Sequence, residues 1–234
     1  MIVLGIETST PQTSVALGTE KGPLASTLLS SGKPQHDVVV PAVEHLLRWS
    51  GTPVQSIGGI AVGIGPGLFT GLRVGVQSAK TLAQVLHIPV VGLASLDVLA
   101  FAQRFSRRWI CSVIDGRRGE VFFAIYRPTP GGVDRITEFA VGTPARLAAE
   151  LEARGREFLL LGDGALRYRH ELESLGSSVE FGSPDLGFPS AASLVELSIP
   201  RFIREEFDRS ADVVPLYLRK SDAEINWDRR ARAG

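Results

Sequence analysis

Short apolar runs separated by glycine- and hydroxyl-rich breaks pattern the first hundred residues. Ile2 to Ile6 reads as a buried strand, Ser14 to Gly18 alternates, and Pro23 to Leu29 reads as a third strand. The polar turn Glu7-Thr8-Ser9-Thr10-Pro11-Gln12-Thr13 joins the first two, so this region predicts a three-stranded meander. Lys33 to Asp37 is a loop, and His36 or Asp37 is placed to cap a helix running to about Trp49. Pro41 falls near its first turn, where a missing N–H costs least. The stretch Gly58 to Gly75, GGIAVGIGPGLFTGLRVG, predicts a buried strand at Ile60 to Ile64, a glycine–proline turn and a helix from Thr70 to about His87. A short strand at Pro89 to Val91 and a helix from Ser95 to Phe105 close the first half.

The second half starts anew. Trp109 to Ile114 and Val121 to Tyr126 predict paired strands around Asp115-Gly116-Arg117-Arg118-Gly119, with a third strand over Val133 to Val141. A helix at Pro144 to Ala153, a strand at Phe158 to Leu161, a Gly162-Asp163-Gly164 turn into another helix, and a long helix from Pro189 to Phe207 follow. Both halves share one order of elements, although no sequence repeat is visible. That order predicts an α/β fold of the actin-like/hexokinase-like type, two similar lobes around a cleft. Residues 1–103 form the expected first lobe and 104–234 the second, with helix 189–207 packing back on the first and a loose charged end from Arg219.

Composition narrows the function classes. The 234 residues are 44% hydrophobic with a formal net charge of zero, which argues against tight unaided nucleic-acid binding. Cys111 is the only cysteine, so neither an internal disulfide nor a cysteine metal cluster can form. Inside an apolar strand it reads as a core residue, and a reduced cytoplasmic setting fits. The N-terminus lacks a basic segment and reaches an acid at Glu7, which reads as a strand and not as a signal peptide. No run approaches the roughly 20 apolar residues of a membrane span.

The glycine stretch fails as a phosphate loop. Gly63-x-Gly65-x-Gly67 has Leu68 where a dinucleotide fingerprint needs its third glycine, and Leu72 stands where a P-loop needs lysine. Gly65, Pro66 and Gly67 instead read as a tight structural turn. Gly71, Gly75, Ala79 and Ala83 then form a small-residue face at helical spacing, which packs on the lobe's own sheet or on a partner helix; periodicity favours the sheet. The helix of Val38 to Trp49 carries apolar residues on more than one side, as a partner surface would.

Three acids, Glu7, Asp115 and Asp163, sit at strand-end turns. In an actin-like cleft such turns face nucleotide phosphates, with Thr8, Ser9 and Thr10 as donors. They are equally ordinary turn formers. The four histidines are dispersed, and His170-Glu171-Leu172-Glu173-Ser174 lacks the second histidine of a zinc-protease helix. No G-x-S-x-G serine elbow is present.

The segments IETSTPQTSVALG, IAVGIGPGLFTGLRVG, PVVGLASLDVLA, IDGRRGEVFFAIY, LGDGA and PLYLR, in that order, resemble the TsaB family over about residues 1 to 219. The resemblance implies a non-catalytic subunit that supports a larger catalytic paralogue, TsaD. With the ATPase TsaE, that pair places threonylcarbamoyl on N6 of adenosine 37 in tRNAs reading codons that begin with A. It also implies a remnant nucleotide pocket at Glu7, Thr8, Ser9, Thr10, Asp115, Gly116, Gly162, Asp163 and Gly164. Glu7 stands where the family usually carries Asp. The paralogue's H-x-x-x-H metal ligands fall at Ser95 and Leu99, which cannot hold a metal, so no metal is expected. No cofactor is required, and ATP or ADP belongs to the complex. Helices 38–49 and 70–86 match the family's dimerisation helices. The implied contacts, with a second copy or with TsaD, are His36, Val39, Val43, Leu46, Leu47, Leu72, Gly75, Val76 and Ala79. Arg73 is expected to pair with Glu7 or Asp115 across the cleft. tRNA is met only through the complex, and the Arg229, Arg230 and Arg232 tail reads as a loose terminus. The competing enzyme readings are a metallopeptidase and a small-molecule kinase on the same fold, the latter with Asp115 as its acid.

Overall fold

The computed structural model describes residues 1–30 and 35–219; the loop around Lys33 and the arginine tail lie outside the described residues. Strands β1 (Ile2–Glu7), β2 (Thr13–Thr19) and β3 (Gly22–Leu29) form an antiparallel meander, and β4 (Ile57–Gly65) and β5 (Val90–Ala94) extend it in parallel, giving the order β3-β2-β1-β4-β5. The second sheet repeats this plan. Strands β6 (Trp109–Arg117), β7 (Glu120–Thr129) and β8 (Gly132–Arg135) form its meander; β10 (Phe158–Leu161) and β11 (Val179–Phe181) add in parallel beyond β6. The β6–β7 hairpin turns through Arg118 and Gly119, both with positive φ, the conformation that matches strand twist in a tight hairpin.

The strand expected over 133–141 divides in two. Both β8 and a short β9 (Ala140–Gly142) pair with β7, and Thr137 interrupts the ladder by accepting from the Ile125 amide through its side chain.

Helices α1 (Val39–Ser50) and α2 (Phe69–Leu86) cover one face of the first sheet. Leu4, Ile6, Val15, Leu17 and Ile60 meet Val39, Leu46, Val76 and Ala79 there. Helix α3 (Ser95–Phe101) is shorter than expected and packs beside β6. In the second lobe lie α4 (Pro144–Arg154), α5 (Asp163–Arg167) and α6 (Arg169–Leu172). Thr143 caps α4 by accepting from the Arg146 amide, with Pro144 in the first turn. Helix α7 (Ala191–Ile203) is narrower than the predicted 189–207, because Ser190 caps its start and Glu205 turns to positive φ after its end. It returns to the first lobe, where Leu194, Val195 and Phe202 pack on Val3, Ala16 and Ala61 across the face opposite α1.

Two local expectations are corrected. His36 and Asp37 do not cap α1. They lie in a separate 3-10 turn, and the N-cap position of α1 is Val38, which supplies no side-chain cap. Six of the proposed partner contacts, Val39, Val43, Leu46, Leu72, Val76 and Ala79, are at most 6% exposed, and Gly75 is buried too. Those positions face the lobe's own sheet, which is the apolar stripe an amphipathic helix must bury first. His36 is exposed and Leu47 half-buried. The second apolar side of α1 is real, but its exposed members are Val40 and Trp49.

Candidate functional site

The hydroxyl-bearing residues of the β1–β2 turn are enclosed. Thr8, Ser9 and Thr10 are buried beneath the glycine element. Thr8 Oγ1 donates to the Gly71 carbonyl at 2.7 Å, and the Leu68 amide donates to the Ser9 carbonyl at 2.6 Å. A methyl group at Gly67 would sit 2.1 Å from the Ser9 carbonyl oxygen; at Gly71 it would sit 2.1 Å from that of Thr8, and at Gly75 2.2 Å from Thr8 Oγ1. The glycines therefore let α2 and its leading turn lie directly on the Thr8–Ser9 backbone. Thr8 Oγ1 is committed to this contact, whereas the buried Ser9 Oγ has no hydrogen-bond partner and Thr10 Oγ1 donates to the Gln12 carbonyl at 3.4 Å.

Glu7 closes on its own lobe in the same way. Its carboxylate accepts from the Ser9 amide at 2.7 Å and from Ser95 Oγ at 2.9 Å, and it lies over Gly63. Burial pushes its pKa up; the hydrogen bonds from Ser9 and Ser95 pull partly back. Ser95 and Leu99, the two positions matched to the paralogue's metal ligands, are both buried. Ser95 serves Glu7, and Leu99 packs with Ile110, Ile114 and Leu161 in the inner core of the second lobe. Among the described residues no group of three or more His, Cys, Asp or Glu side chains is placed to share a metal.

The second lobe contributes the charged wall. Asp163 Oδ1 accepts from the Asp115 amide at 3.0 Å, and Asp115 Oδ1 accepts from the Arg117 amide at 2.9 Å. The guanidinium groups of Arg117 and Arg167 lie 3.2 and 3.5 Å from Asp115 Oδ2. Burial, with the Asp115 charge adding to it, pushes Asp163 up to about 6. Gly162 and Gly164 bring α5 against the Val113 and Ile114 backbone. A cavity of about 480 Å³ separates this wall from the glycine element, lined by Gln35, Gly67 to Gly71, Gly116, Arg117, Phe122 and the segment Leu216 to Arg219.

Arg73 does not cross the cleft to Glu7 or Asp115. Its guanidinium stacks 4.0 Å over the Phe69 ring and donates to Tyr217 Oη at 3.2 Å. Two features escaped sequence reasoning. Asp97, in the first turn of α3, accepts from Tyr126 Oη at 2.8 Å and pairs with Arg135 at 3.3 Å, tying α3 to the second sheet. Burial raises the pKa of Asp97, with Tyr126 and Arg135 opposing, and burial beside Asp97 raises Tyr126. The second feature is the late PLYLR segment, which crosses the cleft. Neither carries a local signal, because each partner lies far away in the chain.

Outside the cleft, a groove of about 840 Å³ runs between α1, the turn after it and α2. Val40, Glu44, Leu47, Pro53, Val54 and Leu82 line it. Trp49 lies 78% exposed at the end of α1, its ring 4.1 Å from that of His45.

Two like-ordered sheets facing each other across a cleft define an actin-like/hexokinase-like α/β fold. The activator of 2-hydroxyisocaproyl-CoA dehydratase from Clostridium difficile, solved with bound ADPNP, shares it at a TM-score of 0.52 and 11% identity, over 89% of this chain and 99% of that one. YeaZ from Pseudomonas aeruginosa is far more similar, with a TM-score of 0.80 and 26% identity over 93% of this chain and 99% of its own. A family model described as TsaD, tRNA N6-adenosine threonylcarbamoyltransferase, matches residues 32–227. The tRNA threonylcarbamoyladenosine biosynthesis protein TsaB of Bacillus subtilis is 32% identical over 97% of this chain and 98% of the relative. The chain belongs to the TsaB family, within this wider group of threonylcarbamoyltransferase-like proteins. Among the described residues no helix is long and apolar enough to cross a membrane.

Proposed function

We propose that this chain is a non-catalytic subunit in tRNA threonylcarbamoyladenosine biosynthesis, which acts by binding and supporting a TsaD-type catalytic paralogue. Its family supports the pathway. The observation that carries the non-catalytic role is the Glu7–Ser95 hydrogen bond: a serine and an internal carboxylate meet where the resemblance puts a metal-binding histidine. With Leu99 sealed in the core, this turn of α3 offers packing and no ligands. The cleft-facing acids are likewise engaged within the chain, Glu7 by Ser9 and Ser95, Asp115 by arginines.

The partner surface is the outer side of α1 with the groove beside α2, centred on Val40, Leu47 and Leu82. An apolar helix face left beside a groove is the pattern of helix-in-groove recognition. The same surface serves a second copy of this chain or the paralogue, one at a time. The chain needs no nucleotide of its own; ATP belongs to the assembly with a TsaE-type ATPase, and tRNA is met through that assembly.

Mixing the purified chain with TsaD-type and TsaE-type proteins, and reading complex size with and without ATP, tests this. A stable heterodimer with the TsaD-type protein is expected, weakened at least tenfold by Val40→Glu. Failure to associate overturns the partner role. Metal-dependent or ATP-consuming turnover by the chain alone, lost in Asp115→Asn, overturns the non-catalytic one.

A further inference from the structure

The two lobes are joined at opposite ends of the cleft by different means. At one end α3 packs into the second lobe through Leu96 and Leu99, fixed by Asp97 to Tyr126 and Arg135. At the other end the chain, having returned to the first lobe with α7, continues across the cavity mouth.

That crossing takes only seven residues. Val213 inserts into the core beneath α1 and α2, and its carbonyl accepts from Lys80 Nζ at 3.3 Å. The Leu216 amide donates to the Ile64 carbonyl at 2.7 Å, on β4. Tyr217 stacks on Phe69 with ring centroids 4.5 Å apart, and Arg73 holds its hydroxyl. The next two residues belong to the other lobe: Leu218 packs against the core around Phe122 and Leu161, and Arg219 pairs with Glu120 at 2.6 Å. Leu216 to Arg219 also line the cavity, so the segment forms part of its wall.

We propose that residues 213–219 are a releasable clasp that holds the two lobes together and walls one side of the cavity between them. Its first half is anchored by a buried valine and a strand hydrogen bond. On the second lobe it holds by one leucine and one partly exposed ion pair, while Tyr217 just before them is held on the first lobe by the Phe69 stack and Arg73. Interactions of this kind are individually weak, so the second half opens first while α3 keeps the lobes connected. Release of Leu218 and Arg219 then removes one wall of the cavity between the glycine element and the Asp115 hairpin and lets the two lobes part there.

Amide hydrogen exchange on the full chain tests the clasp. In Tyr217→Ala combined with Arg219→Ala, exchange in residues 67–71 and 115–119 on the two cavity walls is expected to accelerate about tenfold, as loss of an aromatic stack and an ion pair implies. The centres of β1 and β6 should keep their protection. Acceleration confined to residues 213–219 overturns the proposal. A second variant covers general destabilisation. Glu120→Cys with Arg219→Cys, bridged by a bifunctional maleimide, fixes the clasp shut, and the fully buried Cys111 does not compete for the reagent. Bridging is expected to slow exchange on both cavity walls relative to the unbridged protein. If it leaves them unchanged, the segment is not a clasp.

Discussion

The close seating of α2 on the β1–β2 turn makes Gly75→Ala a sharp test of why the glycine element is built as it is. In an exposed helix this change gains about 0.8–1 kcal/mol of helix propensity. Here the added methyl carbon would lie 2.2 Å from Thr8 Oγ1, well inside contact distance. Thr8 is fully buried and its hydroxyl is held by the Gly71 carbonyl, so turning it aside forfeits a hydrogen bond worth about 1 kcal/mol. Overpacking of a tight core adds about 1–3 kcal/mol. The net expectation is a loss of about 1–3 kcal/mol, or a fall in Tm of roughly 2–12 °C for a chain of this size. In a Thr8→Ala background the offending oxygen is gone and the nearest remaining side-chain atom, Cβ of residue 8, lies at an ordinary 3.4 Å. There Gly75→Ala should raise Tm by about 2–4 °C. Gly71→Ala provides the contrast: its clash is with the Thr8 carbonyl oxygen, which no side-chain change removes, so Thr8→Ala should not rescue it. Thermal and urea denaturation of the double-mutant cycle measure all of this. Equal costs for Gly75→Ala in both backgrounds would refute the close-packing account.

On α1, Leu46→Glu should unfold the chain or cost more than about 3 kcal/mol, because it places a carboxylate in the core. Val40→Glu should change stability by less than about 0.5 kcal/mol, and it should remove pairing in size-exclusion chromatography. A folded, merely monomeric Leu46→Glu protein would return the interface to the inner stripe. Asp163→Asn should stabilise the protein in a pH-dependent way. The folded carboxyl, at about 6, keeps a proton that the unfolded chain releases near its ordinary value of 3.8. The native protein therefore loses stability as pH rises through that window, and the variant does not. The gain, about 1–2 kcal/mol after allowing for partial exposure, should be absent below pH 4 and complete above pH 6 or so in urea melts, and a pH-independent gain would contradict it. Glu7→Gln should behave in the same direction, since burial raises the Glu7 carboxyl; the amide oxygen takes the Ser9 amide, and the amide NH2 donates to Ser95 Oγ once that hydroxyl turns to accept.

Much of the architecture is legible because it rests on local pattern. The meanders announce themselves through β-branched runs and polar turns, and the matching order of elements in the two halves foretells the matching sheets. The limits are equally physical. Hydrophobic periodicity separates an apolar face from a polar one but cannot say whether a sheet or a partner covers it; at Val39, Val43, Leu46 and Val76 it is the sheet. Arg73 was matched to an acid because charge is visible in sequence; that an aromatic face and a tyrosine 144 positions away hold it is not. Thr8, Ser9 and Thr10 have the composition of a phosphate grip, and only the approach of Gly67 to Ser9 and of Gly71 and Gly75 to Thr8 reveals how closely the turn is covered.

That enclosure bears on ligand binding. A phosphate seated at the β1–β2 turn would have to displace the Glu7 carboxylate, recruit the hydroxyl of Thr8 or reach the buried, unpartnered Ser9 Oγ. The first breaks the bonds from the Ser9 amide and Ser95, both to a charged or proton-sharing carboxyl in the interior. Hydrogen bonds to charged groups contribute about 1.5–3 kcal/mol each, so opening the pair costs about 3–6 kcal/mol, a factor of roughly 10² to 10⁴ in affinity. Glu7 would also oppose a phosphate by like charge whenever ionised. An anionic ligand therefore has one less hindered route, the cavity between Arg117 and the backbone ahead of α2, which the segment 216–219 helps to line and Glu7 does not. Binding there should weaken in Arg117→Ala and be indifferent to Glu7→Gln, whereas use of the turn demands the reverse; isothermal titration with ADP as the probe distinguishes the two.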